Sequence, residues 1–164
     1  MSVADAVAAA SAYLSEHPDE ARYRDSAAMA RVTSGLAVAV TGPGGESLTT
    51  DMPKGIGGGS SVASPGWYMR AAAASCVASL IAIRAATLGL TVGAIEVTVD
   101  SESDDRGILG LDDEIPAGAI SMKIVASVGG VRGDARRDLV DWAVAHCPVT
   151  ETIARAVPVT VEVR

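Results

Sequence analysis

Two cysteines, Cys76 and Cys147, carry the side chains best suited to covalent chemistry in this sequence of 164 residues. A cysteine thiolate is a nucleophile and can be oxidised, so two of them could form a reversible disulfide. They lie 71 residues apart, which excludes a Cys-x-x-Cys motif and leaves only the fold to bring them together. The alternative is that both are small buried hydrophobic residues, as free cysteines often are.

Cys147 directly precedes Pro148, and proline is favoured at the first position of a helix. The sequence therefore predicts a short helix over 149–156 with Cys147 at its N-cap. The partial positive charge at the start of that helix would favour the thiolate form of Cys147.

Cys76 lies in the middle of a long predicted helix. Ser64 is a good N-cap, Pro65 suits the first turn, and Gly89 can close the helix, so we expect it to span roughly residues 65–88. Mid-helix burial should raise the pKa of the Cys76 thiol unless a cation reaches it.

Between Arg70 and Arg84 this helix has only apolar residues and small serines, so we expect it to lie in the middle of the fold. Its uninterrupted run of 13 residues is shorter than the roughly 20 that cross a bilayer, which argues against a membrane span. Helical spacing places five residues on the Cys76 face. They are Met69, Ala72, Ala73, Leu80 and Ile83.

The remaining pattern predicts an α+β fold with a largely antiparallel sheet. Helix-forming residues open the chain and stop near Pro18. Alternating apolar positions then predict strands within the following ranges. These are 28–41 (two strands that turn at Ser34-Gly35), 46–50, 94–103, 119–128 and 157–163, with a further helix over 135–145.

Composition and charge narrow the classes of partner. The net charge is −7 and the 13 basic residues form no cluster, so neither nucleic acid nor an anionic membrane is an expected partner. No signal peptide is visible at the N-terminus, and two cysteines in such a chain suggest a reducing cytoplasm.

Two loops invite ligand-binding interpretations. The glycine-rich stretch 51–61 precedes the central helix but lacks both the P-loop ending and a G-x-G-x-x-G motif, so we interpret it as a mobile flap rather than a nucleotide site. The acidic stretch 101–114 lacks the EF-hand pattern and is predicted to be a solvated loop rather than a calcium site.

The order of motifs resembles the OsmC/Ohr family of thiol-dependent hydroperoxide reductases. The resemblance rests on Ala74-Ser75-Cys76 in an alanine-rich helix after three strands, and on His146-Cys147-Pro148-Val149 after two more. It covers roughly residues 26–164, an OsmC-like domain, and leaves 1–25 as an N-terminal helical extension. It implies a mostly antiparallel sheet packed on the long central helix, in an intertwined homodimer with active sites at its interface.

The resemblance also implies roles for individual residues. Cys76 matches the peroxide-attacking cysteine, and Cys147 matches the resolving cysteine whose disulfide an external dithiol reduces. Such a reaction needs no metal and no other cofactor. An apolar lining from Trp67, Met69, Leu80 and Ile83 would suit an organic hydroperoxide.

The sequence departs from the family pattern at two places. Family peroxidases usually carry a glutamate just after the proline that starts the central helix, where this chain has Gly66 and Trp67. They also hold the thiolate with an arginine, for which Arg31 and Lys54 are the candidates here. The alternative function is therefore a non-peroxidatic dimer of the same fold that binds a small molecule or has a structural role.

Overall fold

The structure, a computed structural model, describes residues 1–155 and 157–163. The helices are α1 (Val3–Glu16), α2 (Pro65–Thr87), α3 (Asp105–Ile108), α4 (Gly133–His146) and α5 (Pro148–Ala154). The strands are β1 (Met29–Ser34), β2 (Ala37–Thr41), β3 (Ser47–Thr50), β4 (Ile95–Glu102) and β5 (Ser121–Val128). Both sheets, β1-β2-β3 and β4-β5, are antiparallel. The predicted α+β class is confirmed, and so is the order of elements from the first helix to the last one, except for α3. This short helix lies within the acidic stretch 101–114, which was predicted to be a loop.

The chain divides into two compact units, residues 9–69 and residues 1–8 with 70–164. The first contains the β1-β2-β3 meander, and the second contains the β4-β5 hairpin, most of α2, and α3 to α5. The boundary expected between an extension over 1–25 and a domain over 26–164 stays a prediction.

The glycine-rich connection 51–61 is organised by the carboxylate of Asp51, a residue that is only 4% exposed. It accepts hydrogen bonds from the backbone N–H groups of Met52, Gly59 and Ser61. The Ser61 hydroxyl donates to it as well, at 2.8 Å. A side chain at Gly58 would put its Cβ 1.9 Å from the Met52 carbonyl oxygen, so the loop needs glycine there. The predicted flap is thus a closed loop tied to a buried acid.

Helix α2 begins and ends where its local signals predict. The Ser64 hydroxyl caps it by accepting from the Trp67 N–H, Pro65 occupies the first turn, and Gly89 closes it with a φ of +66°. The Leu90 N–H then donates to the Ala85 carbonyl, which completes the C-terminal cap.

Helix α2 buries only one stripe of side chains in the single chain, although its composition predicts a helix in the middle of the fold. The buried residues are Ala73, Val77, Ile81 and Ala85. The opposite face carries alanine and serine, whose small side chains cost little to expose. By length and composition alone α2 could cross a membrane, but a helix in the core of a soluble protein passes the same test, so this is weak support for a span.

The core beside α2 combines two elements from the second half of the chain. Val77 and Ile81 pack with Val128 of β5, Ala143 of α4 and Cys147. Burying an aliphatic side chain of this size stabilises a fold by about 1.5–3 kcal/mol, so this cluster fixes α4 and its C-terminal end against α2. Cys147 is therefore positioned by the core itself.

The C-terminal segment corrects one prediction. Residues 157–163 form no strand, although their alternating valines favour extended backbone. A strand needs a neighbouring edge to share its hydrogen bonds, and within the described part of this chain no strand pairs with them. The helix predicted over 149–156 ends at Ala154, and Ala156 lies outside the described residues.

Candidate functional site

The fold brings the two cysteines together. Cys76 comes from the middle of α2, and Cys147 lies at the junction of α4 and α5. Cys76 packs against the buried core cluster that contains Cys147, and both thiols are free. Two cysteines that lie 71 residues apart along the chain are thus brought into one packed cluster.

Cys147 is the N-cap of α5, as predicted. Its sulfur accepts a hydrogen bond from the Thr150 N–H at 3.5 Å, and the residue is 0% exposed. Burial acts to raise the pKa of this thiol, but the hydrogen bond from Cys76 and those from Thr150 and the Val149 N–H outweigh it, so the pKa lies below its ordinary value.

Cys76 is half-buried, and the pKa of its thiol is shifted in the opposite direction, upward. Burial raises its pKa, and so does the hydrogen bond to Cys147, while the Val149 N–H acts in the other direction. Of the two thiols, Cys147 is therefore the one whose thiolate form is favoured.

Thr150 is a part of this site that the sequence interpretation missed. Its hydroxyl donates to the Val144 carbonyl at 2.9 Å and lies 3.1 Å from the Cys147 carbonyl. The sequence carries a signal for it, because Thr150 lies three residues after the predicted N-cap, Cys147. In a capped helix the backbone N–H at that position donates to the capping side chain.

His146, the histidine of the second cysteine motif, is turned toward α4 rather than toward the thiols. Its ring stacks on Trp142 with centroids 4.2 Å apart, and its Nδ1 donates to the Trp142 carbonyl at 2.8 Å. The Arg84 guanidinium covers the Trp142 ring at 4.9 Å. This stack ties α2 to the end of α4 just before Cys147.

The two cation candidates lie in the unit formed by residues 9–69. Arg31 is exposed on β1, and Lys54 is exposed in a short 3-10 helix, with its backbone N–H donating to the Ser60 hydroxyl. Among the described residues, no cation contributes to the pKa shift of either thiol. A role for Arg31 or Lys54 at Cys76 stays a prediction.

The four residues predicted to line a pocket divide between the two units. Leu80 packs against the core cluster that contains Cys147, as Cys76 does, and Ile83 is half-buried on the same helix. Trp67 is half-exposed with its ring edge-on to Tyr68, and Met69 is half-buried. The cavities of about 260 and 450 Å³ in this fold have neither cysteine in their lining.

The arrangement is suited to reversible thiol oxidation. A half-buried thiol beside a fully buried, more acidic one could be oxidised first at the accessible sulfur and then close a disulfide, which needs the sulfurs to approach to about 2 Å. In the described ranges, 1–155 and 157–163, no group of three or more His, Cys, Asp or Glu side chains could hold a metal ion.

Comparison with known proteins agrees with this description of the fold. Structures with the same fold include an organic hydroperoxide resistance protein of Elizabethkingia anophelis, with 21% identity, TM-score 0.64 and coverage of 79% of this chain and 88% of that one. The OsmC organic hydroperoxide resistance protein of Legionella pneumophila has 20% identity, TM-score 0.63 and coverage of 80% and 90%.

An OsmC-like protein of Mycoplasma pneumoniae has 12% identity, TM-score 0.67 and coverage of 81% and 89%. No curated protein matches the sequence. The sequence model of OsmC-like proteins matches residues 57–162, which include both cysteines. The chain therefore belongs to the OsmC/Ohr family, as a divergent member of it.

Proposed function

We propose that this protein is a thiol-dependent peroxidase that reduces organic hydroperoxides through Cys76 and Cys147. The observation that carries the proposal is that Cys76, which is half-buried, packs against the core cluster that contains the fully buried Cys147. The names of the Elizabethkingia and Legionella proteins, both organic hydroperoxide resistance proteins, support the same class of substrate.

Cys76 performs the first step in this proposal because a hydroperoxide must touch the sulfur that attacks it. Cys147 is 0% exposed, whereas Cys76 is only half-buried. The Cys76 S–H passes its proton to the Cys147 thiolate as its sulfur attacks the distal peroxide oxygen. The O–O bond breaks, Cys76 becomes a sulfenic acid, and the leaving alkoxide takes the proton from Cys147 and departs as the alcohol, which returns Cys147 to the thiolate.

Cys147 performs the second step. Its sulfur, again as the thiolate, attacks the sulfenic sulfur of Cys76, the S–O bond breaks, and hydroxide leaves and is protonated to water. An external dithiol then reduces the Cys76–Cys147 disulfide and is itself oxidised to a disulfide. The cycle uses no metal and no other cofactor.

The proposal also assigns the residues that bind the substrate, the oligomeric state and the cellular location. Leu80 and Ile83 on α2, with Trp67 and Met69 nearer its start, are the apolar residues assigned to an organic substrate. Arg31 or Lys54 is the cation assigned to the attacking thiolate. The working form is an intertwined homodimer in the cytoplasm.

Treatment of the reduced protein with one equivalent of cumene hydroperoxide, followed by peptide mapping, tests the proposal. We expect Cys76 and Cys147 to be joined within one chain, and a Cys147→Ser variant to stop at the sulfenic acid of Cys76. Thiols that remain free, or that are linked only between chains, would instead favour the non-peroxidatic alternative, which the raised pKa of Cys76 and the absence of a glutamate at Gly66 and Trp67 also favour.

A further inference from the structure

The junction between α4 and α5 contains a carbonyl that the helix cannot satisfy by itself. The C=O of Val144 would ordinarily accept from the N–H of residue 148, but that residue is Pro148, which has none. The Thr150 hydroxyl supplies the missing donor at 2.9 Å. The proline that starts α5 thus creates an orphan acceptor, and Thr150 compensates for it.

The same hydroxyl determines where the rest of Thr150 points. It also lies 3.1 Å from the Cys147 carbonyl, so Thr150 is held against both sides of the junction. In that position its backbone N–H donates to the Cys147 sulfur. The Cys147 carbonyl has a second donor, the Glu151 N–H at 2.9 Å. The Val144 carbonyl lacks the usual backbone donor, and the Thr150 hydroxyl takes that place.

We propose that Thr150 is the positioning residue of the thiol pair: its hydroxyl holds the α4–α5 junction so that its own amide stabilises negative charge on the sulfur of Cys147. In this position the Thr150 amide favours the thiolate form of Cys147. Its importance for catalysis rests on the proposed function, but its effect on the thiols does not.

The test compares Thr150→Val with Thr150→Ser, both in a chain that carries Cys76→Ser so that Cys147 is the remaining thiol. The ultraviolet absorbance of the thiolate is followed against pH. Valine keeps the shape but removes the hydroxyl, and we expect the acid dissociation constant of Cys147 to fall on the order of fivefold, the effect of one hydrogen bond. Serine restores the donor and should restore the titration.

Thr98→Val is the matched control, because Thr98 is exposed on β4 and its substitution should leave the titration unchanged. The assignment is overturned if Thr150→Val titrates like the parent, or if Thr150→Ser behaves like valine. Should the valine variant fail to fold, hydrogen exchange of the Thr150 amide in the unaltered protein decides: we expect slow exchange, and exchange as fast as that of an open loop would overturn the assignment.

The two proposals fail separately. If the titration shifts as expected but the unaltered protein forms no disulfide with hydroperoxide, Thr150 keeps its positioning role and the peroxidase proposal is wrong. If the disulfide forms and the titration does not shift, the peroxidase proposal stands and Thr150 is only a part of the scaffold.

Discussion

Acidity and accessibility favour different sulfurs in the Cys76–Cys147 pair. Cys147 has the lowered pKa but is fully buried, whereas Cys76 has the raised pKa and is partly open. A low pKa increases the thiolate fraction, but a buried sulfur cannot meet a bulky hydroperoxide. We therefore assign the attack to Cys76, with Cys147 as the acceptor of its proton.

Trapping of the sulfenic acid checks this assignment. After brief peroxide treatment with a dimedone-type probe present, Cys147→Ser should be labelled at Cys76, because the accessible thiol is oxidised and nothing resolves it. Cys76→Ser should show little label. Label on Cys147 in the Cys76→Ser variant, with none on Cys76 in the other, would mean that the two roles are exchanged.

The same residues show how far the sequence predicts the site. The N-cap position of Cys147 follows from Cys-Pro alone, because capping is local. The contribution of Thr150 could not be predicted in this way, because its acceptor on Val144 depends on how two helices meet. The direction of the Cys76 pKa shift was predicted from its mid-helix burial, but the part that comes from Cys147 needed the tertiary contact.

At the level of elements, strong local signals were sufficient where a helix or hairpin carries its own boundaries. Ser64, Pro65 and Gly89 mark both ends of α2, and Ser34-Gly35 marks the β1–β2 turn. The tail 157–163 was predicted wrongly because alternation fixes which side chains could share a face but supplies no partner strand.

The glycine-rich loop gives a prediction at this scale. Asp51→Asn removes a charged acceptor and presents an N–H₂ group to N–H donors, so the loop should loosen while the rest of the fold remains. Trypsin cleavage after Lys54, within the loop, should become faster by on the order of tenfold. Asp113→Asn, in the exposed acidic stretch, is the control and should leave the cleavage rate unchanged.

The loop should also respond to acid in a defined range. The hydrogen bonds of Ser61, chiefly, lower the pKa of Asp51 from 3.8 to about 2. Because the folded pKa is the lower one, the contribution of this carboxylate is complete above pH 3.8 and is lost as the pH falls through about 2. The amide NMR signals of Gly59 and Ser61 should shift with that midpoint; a midpoint near 3.8 would contradict the account.

For the whole molecule, a single chain leaves many apolar side chains open to water. Leu111 is 70% exposed, and Val159, Val161 and Val163 are 81%, 81% and 93% exposed. In the proposed homodimer, side chains such as these are candidates for the interface between subunits. In that homodimer, a second copy of the chain buries these apolar side chains.

Light scattering measures this directly. We expect a mass of twice the 16.5 kDa of one chain at micromolar concentration, with no stable monomer on dilution through that range. A stable monomer would remove the homodimer, and with it the active site that the family resemblance places at a subunit interface.

Turnover of hydroperoxide by Cys76 and Cys147 is measured by the steady-state consumption of cumene hydroperoxide with dithiothreitol. We expect many substrate molecules to be reduced per chain by the unaltered protein, a rate at the uncatalysed background for Cys76→Ser, and a much reduced rate for Cys147→Ser. Consumption by the unaltered protein that is no faster than by Cys76→Ser would overturn the peroxidase proposal.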